Sequence, residues 1–169
     1  MDGARHKHWG TMQKVDTHRA KGFSLIELLV VVAIIMIIMG MAIPKILIAK
    51  KMTFEAGAIK AISTIHVAQA QYQSQYGRFA ATMAELGPPV KGKPSASSAG
   101  LIGADLASGE KGGYKYNLVA NDSGYTIHAN PTAFSKTGDH TYFSDESLVI
   151  RLNAGAEPAT EDSPEINTR

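Results

Sequence analysis

Glu27 is the residue whose placement calls for chemistry. It stands directly before residues 28–43, LLVVVAIIMIIMGMAI, sixteen positions without a polar side chain. Together with residues 23–27 this makes 21 residues, about 31 Å of helix, which matches the hydrocarbon thickness of a bilayer. An ionised carboxylate in that setting costs roughly 2.5–3.5 kcal/mol and is usually met by a partner charge. No Lys, Arg or His lies between residues 23 and 43; the nearest base before Glu27 is Lys21, six positions back. The partner must then be a chain terminus, another subunit or the headgroup region. A cut after Gly22 would create an α-amine on Phe23, a charge of the right sign. Two such helices, packed side by side with a stagger, could set that amine against a neighbour's Glu27.

Other reactive constellations are weak. The chain contains no Gly-x-Ser-x-Gly, no His-Glu-x-x-His and no Walker motif, so no enzyme is expected. It has no cysteine, which excludes a disulfide framework, a thiolate metal site and a cysteine nucleophile. His128 and His140 lie near Asp139, Asp145 and Glu146 in sequence, and those three acids could offer oxygens to calcium. They lack the dense Asp-x-Asp-x-Asp spacing of a calcium loop, so solvated turn residues are the preferred reading and no cofactor is expected, calcium being the one candidate. His6, His8, Trp9 and His18 read as a solvated basic segment rather than a metal cluster. Lys91-Gly92-Lys93 follows no strand and is too short for a phosphate loop. Asn121-Asp122-Ser123 matches a glycosylation sequon and makes an equally good turn. Phe54, Tyr72, Tyr76 and Phe79 are read as packing aromatics rather than an electron path, and His66 as a residue at the edge of the core.

Charge points the same way. The net charge is +2. Residues 1–22 hold Arg5, Lys7, Lys14, Arg19 and Lys21 against Asp2 and Asp16, which leaves twelve of the seventeen bases and thirteen of the fifteen acids for the body. The body therefore presents no broad positive field for nucleic acid.

The elements that position Glu27 follow from periodicity. A cleaved secretory signal would have a shorter apolar core and an Ala-x-Ala site, whereas this run ends in Pro44 and Lys45. Past Pro44, Ile48, Met52, Ile59, Ile62, His66, Gln69, Tyr72 and Tyr76 recur at helical intervals, with Ile65 and Phe79 widening the stripe. One helix is predicted over residues 23–76, closed by Gly77. Pro44 removes a helical hydrogen bond from the carbonyl of Gly40, so a kink or local melt is predicted across residues 40–44. Thr82-Met83-Ala84-Glu85 reads as a capping box opening a short helix to Leu86, stopped by Gly87-Pro88-Pro89. Residues 87–113 read as a long surface loop with a turn near residues 101–106. Four β segments follow, at residues 114–120, 125–130, 141–143 and 148–152, joined by tight turns into an antiparallel sheet that packs on the apolar face of the helix. Residues 153–169 are polar and predicted to be a disordered tail.

The stretch KGFSLIELLVVVAII resembles the processing site of the type IV pilin and type II secretion pseudopilin superfamily: a basic residue, Gly22, Phe23, Ser24-Leu25-Ile26, then Glu27 before an unbroken apolar run. The resemblance implies that prepilin peptidase cuts after Gly22, that Phe23 becomes the N-methylated mature N-terminus, and that Glu27 aligns each incoming subunit. Pro44 falls where many pilins carry a helix-bending proline. Residues 71–79, QYQSQYGRF, resemble the helix exit of such proteins, and GYTIHANPTAFSKTGDHTYFSDESLVIRL resembles the C-terminal sheet of pilin-like proteins without disulfides. The implied organisation is a leader at 1–22 (or from an alternative start at Met12), a transmembrane and filament-core helix at 23–43, an amphipathic helix at 44–79, a globular head at 80–152 and the tail at 153–169. The fold class is α+β, pilin-like. The precursor is expected in the bacterial inner membrane, single-pass with a cytoplasmic N-terminus, and the mature chain in a periplasmic or cell-surface filament. The implied partners are further copies of itself, other pilins, prepilin peptidase and an inner-membrane platform with its ATPase. Three readings stand open: a pilus subunit, a pseudopilin of a secretion or competence machine, and a single-span anchored binding domain that does not assemble. The pilus is preferred, because no calcium pattern of a major pseudopilin is evident and Glu27 beside a cut site speaks against the plain anchor.

Overall fold

In the computed structural model, residues 22–121 and 123–166 are described; the leader apart from Gly22, including its histidines, Trp9 and Met12, lies outside them. The described chain is one long helix followed by short helices and a five-stranded antiparallel sheet. This is the α+β, pilin-like class predicted. It divides into two compact units, one ending at Met41 and the other beginning at Ala42.

Helix α1 spans Leu25–Tyr76, within two residues of the predicted bounds. Its first turn is anchored by the carbonyl of Ser24, which accepts from the N–H groups of Glu27 and Leu28 at 3.1 and 3.2 Å. Its last turn closes on Gly77, whose φ of 73° is the left-handed conformation that a terminating glycine supplies without a Cβ clash. The Gly77 N–H bonds the carbonyl of Gln73 at 2.8 Å. Pro44 lies inside the helix, and residues 40–44 are all helical.

In the second unit the buried face of α1 consists of Ala58, Ala61, Ile62, Ile65, His66, Ala68, Gln69 and Tyr72. This is the predicted stripe from Ile62 onward, with three alanines added. Small side chains at 58, 61 and 68 let the sheet approach the helix backbone closely. Ile48 and Met52, which the stripe also included, are 56% and 65% exposed: at about 100° per residue they point away from the buried face, whose phase is carried at this end by Lys51 and Phe54.

The chain leaves α1 and returns along it. Gln69 holds the return segment, its Nε2 donating to the Ala80 carbonyl at 2.9 Å and its Oε1 accepting from the Ala80 N–H at 2.8 Å. The predicted capping box forms α2, Met83–Leu86, with Thr82 Oγ1 accepting from the Glu85 N–H and Glu85 Oε2 accepting from the Ala81 N–H. Residues 87–113 are more structured than predicted. Helix α3 spans Ala104–Ala107 and strand β1 spans Glu110–Lys111, and Ala99, Ile102 and Leu106 enter the core. Backbone bonds from Ala99, Gly100, Leu101 and Ile102 to carbonyls of residues 85–87 tie this segment to α2.

Strands β2 (Tyr114–Ala120), β3 (Tyr125–Pro131), β4 (Thr141–Asp145) and β5 (Ile150–Asn153) form a meander in the order β1-β2-β3-β4-β5. Alternation sets the faces: Tyr114, Tyr116 and Leu118 point into the core while Lys115, Asn117 and Val119 face out, and Tyr125, Ile127 and Ala129 continue the inner face on β3. β4 breaks the pattern because its first four residues are all buried.

The cause is the C-terminal segment, and here the expectation of a disordered tail is corrected for residues 153–166. Thr141 Oγ1 donates to the Glu157 carbonyl at 2.7 Å, Arg151 donates to the Ser163 carbonyl at 3.1 Å, and Ala159 is fully buried. The segment then pairs with the edge of β5, through Leu152 N–H to the Pro164 carbonyl and Ile166 N–H to the Ile150 carbonyl. It covers Phe143 on the outer face and blunts the free edge of the sheet. A segment poor in large apolar groups is ordered here because backbone hydrogen bonds, not apolar burial, hold it.

Candidate functional site

Gly22, Phe23 and Ser24 precede α1 without regular secondary structure, and Glu27 sits in the first helical turn. A carboxylate there is favoured by the partial positive charge at a helix N-terminus. Every residue from 22 to 41 is exposed, and no basic side chain meets Glu27 among the described residues. Helix α1 is long and apolar enough, by length and composition, to cross a membrane. Gly22, Phe23 and Glu27 are thus brought together as the accessible end of a helix whose entire circumference is apolar beyond them.

The head contains titratable clusters, each with a structural occupation. His66 is buried with both ring nitrogens bonded, Nδ1 to the Tyr125 hydroxyl at 2.7 Å and Nε2 to Ser144 Oγ at 2.8 Å. Ser144 Oγ also donates to the Val149 carbonyl at 2.8 Å, so it accepts from an N–H on Nε2, and Tyr125 donates to Nδ1. The imidazole is held neutral: burial lowers its pKa, against a smaller opposing pull from Asp145. The Ser144 hydroxyl is wholly buried and committed to a carbonyl, so the Ser-His pair is a brace between α1 and the sheet rather than a nucleophile. Glu85 receives hydrogen bonds from Arg78, Tyr72 and the Ala81 N–H. Burial opposes its charge, but those donors hold its carboxyl below the ordinary range.

The acids considered for calcium are dispersed. Asp139 pairs with Lys51, Nζ to Oδ2 at 2.6 Å, and lies just before β4. Asp145, at the end of β4, accepts from the Ser147 N–H and hydroxyl. The length of strand β4 lies between the two. Glu146 lies against Gly124. Among the described residues no group of three His, Asp or Glu side chains is arranged to hold a metal. Asn121 makes the turn its spacing suggested, Oδ1 accepting from the N–H groups of Ser123 and Gly124. Sequence reasoning missed the clamp of Glu55 on the Asp139 N–H and on His140 Nδ1, at 2.7 and 3.0 Å, because its partners lie more than eighty positions apart.

The fold is of the α+β, pilin-like class, and its N-terminal segment is an exposed apolar helix. Residues 17–43 match the model of the prokaryotic N-terminal methylation motif, the prepilin-type motif of type IV pilins and pseudopilins. The match spans Gly22, Phe23 and Glu27 and stops one residue before Pro44. No curated protein and no solved structure matches the chain significantly.

Proposed function

We propose that this chain is a structural subunit of a type IV pilus-like extracytoplasmic filament. Prepilin peptidase cuts it between Gly22 and Phe23, Phe23 is N-methylated, and α1 polymerises with copies of itself and other pilins through its apolar first half. The observation that carries the reading is Glu27: an acid without a basic partner on its own apolar helix, inside a segment that matches the methylation motif. Its charge is answered by the Phe23 amine of the adjoining subunit, which restores the pairing that a carboxylate in hydrocarbon requires. The inner-membrane platform and its ATPase supply the work of extraction. Pro44, which deprives the Gly40 carbonyl of its donor, marks where α1 lengthens or repacks on assembly.

The test combines mass and assembly. Envelope protein is expected to begin at Phe23 with a methyl group. Glu27→Ala is expected to keep the protein level and the processed mass while abolishing sheared fibres. Recovery of only the uncut precursor, or normal fibres from Glu27→Ala, overturns the reading. Intact fibres with lost exoprotein export in a deletion strain would assign the chain to a secretion machine instead.

A further inference from the structure

Strands β3 and β4 run along the second half of α1. Tyr125 at the start of β3 and Ser144 near the end of β4 both meet His66. At the opposite ends of those strands, the Asp139 N–H and His140 meet Glu55. Glu55 and His66 are eleven residues apart, about 16 Å along a helix. The loop of residues 132–140 therefore lies at the end of the head that faces back along α1 toward its N-terminus. The tip of the β1–β2 hairpin adjoins it, for the Thr132 N–H bonds the Gly113 carbonyl at 2.9 Å, and Gly113 packs beside Phe54 and Thr137.

This end of the head is apolar and basic together. Phe134 is 43% exposed, Ser135 beside it has a φ of 67°, and Lys136 is exposed. On the adjoining helix Ile46, Leu47, Ile48 and Met52 are exposed, as are Lys45 and Lys50. The Lys50 ammonium lies over the Phe54 ring, 5.6 Å from its centre. Among the described residues Lys45, Lys50 and Lys136 make no ion pair, while Asp139 is paired with Lys51 and Glu55 with His140; Glu110, on the adjoining hairpin, is the exposed acid without an ion pair near this end. The apolar run also outlasts Pro44: Ile46, Leu47, Ile48 and Ala49 precede Lys50 and Lys51. Residues 23–43 already match the roughly 30 Å hydrocarbon layer, so the apolar residues 46–49 follow the spanning run in sequence and come before Lys51, the first helix residue paired to the head. Lys45 can extend its stem along the helix and keep its ammonium at the interface.

We propose that the loop of residues 132–140 is a membrane-docking element that seats the head of the anchored precursor on an anionic bilayer surface, with Phe134 at headgroup depth and Lys50 and Lys136 on lipid phosphates. The proposal rests on membrane anchoring of the precursor and is independent of filament formation. Apolar continuity with the spanning run and unpaired positive charge select an anionic lipid surface as the occupant.

The absence of cysteine in the chain makes site-directed labelling direct. The full chain carrying a nitroxide at Ser135→Cys, and separately at Val119→Cys on the outward face of the sheet, is placed in vesicles of phosphatidylcholine with or without phosphatidylglycerol. The Ser135 label is expected at headgroup depth in phosphatidylglycerol vesicles, with the Val119 label in water. Replacing Lys50 and Lys136 together by Gln is expected to lower the docking equilibrium constant roughly thirtyfold, from about fivefold per lysine lost at an anionic surface. A Ser135 label as water-accessible as the Val119 label while the protein floats with the vesicles overturns docking alone. Failure to float overturns anchoring and docking together. Immobilisation of the Ser135 label only after assembly makes the loop a contact between subunits and overturns docking on lipid.

Discussion

Residues 30–39 and residues 58–72 of α1 are both helical and both rich in apolar side chains, yet none of the first set is buried and eight of the second are. The difference lies in arrangement around the axis. In the second segment, buried Ile62, Ile65, His66, Gln69 and Tyr72 share one stripe, while Ser63, Thr64 and Val67 face out, so one sheet satisfies the helix. In the first segment every face is apolar, and no single sheet can cover a cylinder. Such a helix needs surroundings on all sides, which lipid or neighbouring helices provide. The same backbone thus serves as a core element of one domain and as a surface for something outside the chain.

That contrast can be broken by mutation. Ile65→Ala, at a fully buried position, is expected to lower the stability of the head by about 2–5 kcal/mol, read by thermal unfolding in detergent. Ile37→Ala, on the exposed apolar run, is expected to leave that transition unmoved. Equal shifts from the two substitutions would erase the distinction.

Two glycines sharpen it at smaller scale. A Cβ on Gly138 would land on the buried Tyr114 hydroxyl and ring, a rigid neighbour whose hydroxyl bonds the His140 carbonyl. Gly138→Ala is expected to cost about 1–3 kcal/mol as overpacking. Gly57, exposed on α1, has nothing within 4 Å of such a Cβ, and Gly57→Ala is expected to raise stability by roughly 0.5–1 kcal/mol. Opposite signs in paired denaturant titrations are the check.

Acid probes the brace between helix and sheet. Burial lowers the pKa of His66, and it lowers that of His128 as well, against a hydrogen bond to the Ala159 carbonyl. The unfolded chain, with histidine near pH 6.5, binds these protons more readily than the folded one. Stability is therefore full above about pH 6.5 and declines as pH falls from there toward the folded-state values, by at most about 1.4 kcal/mol per pH unit for each histidine. A melting temperature that does not fall as pH is lowered through this window contradicts the buried neutral pair at His66.

The legible part of this protein was local. The bounds of α1, the Gly77 cap, the Thr82 capping box and strand β2 all follow from spacing over a few residues, because the interactions that set them act within one turn or one strand. Glu27 could be singled out by the same logic, since a lone acid before sixteen apolar residues is conspicuous without any fold. Less legible were residues 87–113, where Ala99, Ile102 and Leu106 are too sparse to form a period yet each fills a place in the core. The polar C-terminal segment was misread for a related reason. Its composition forbids a core of its own, but Thr141, Arg151 and the edge of β5 supply the hydrogen-bond partners that composition cannot reveal.

By itself the sequence determined the bounds of α1 and α2, the turn at Asn121, and that an acidic side chain stands at the mouth of an apolar helix next to a glycine-phenylalanine junction. These depend on backbone preference, hydrophobic period and charge, all of which are written along the chain. Tertiary structure alone decided that Ile48 and Met52 stay uncovered, that His66 is a neutral brace, that Glu55 clamps Asp139 and His140, and that the last residues cross the sheet. Each of those depends on groups far apart in sequence meeting in space, and what a side chain costs or contributes when buried is settled only by the partner it finds there.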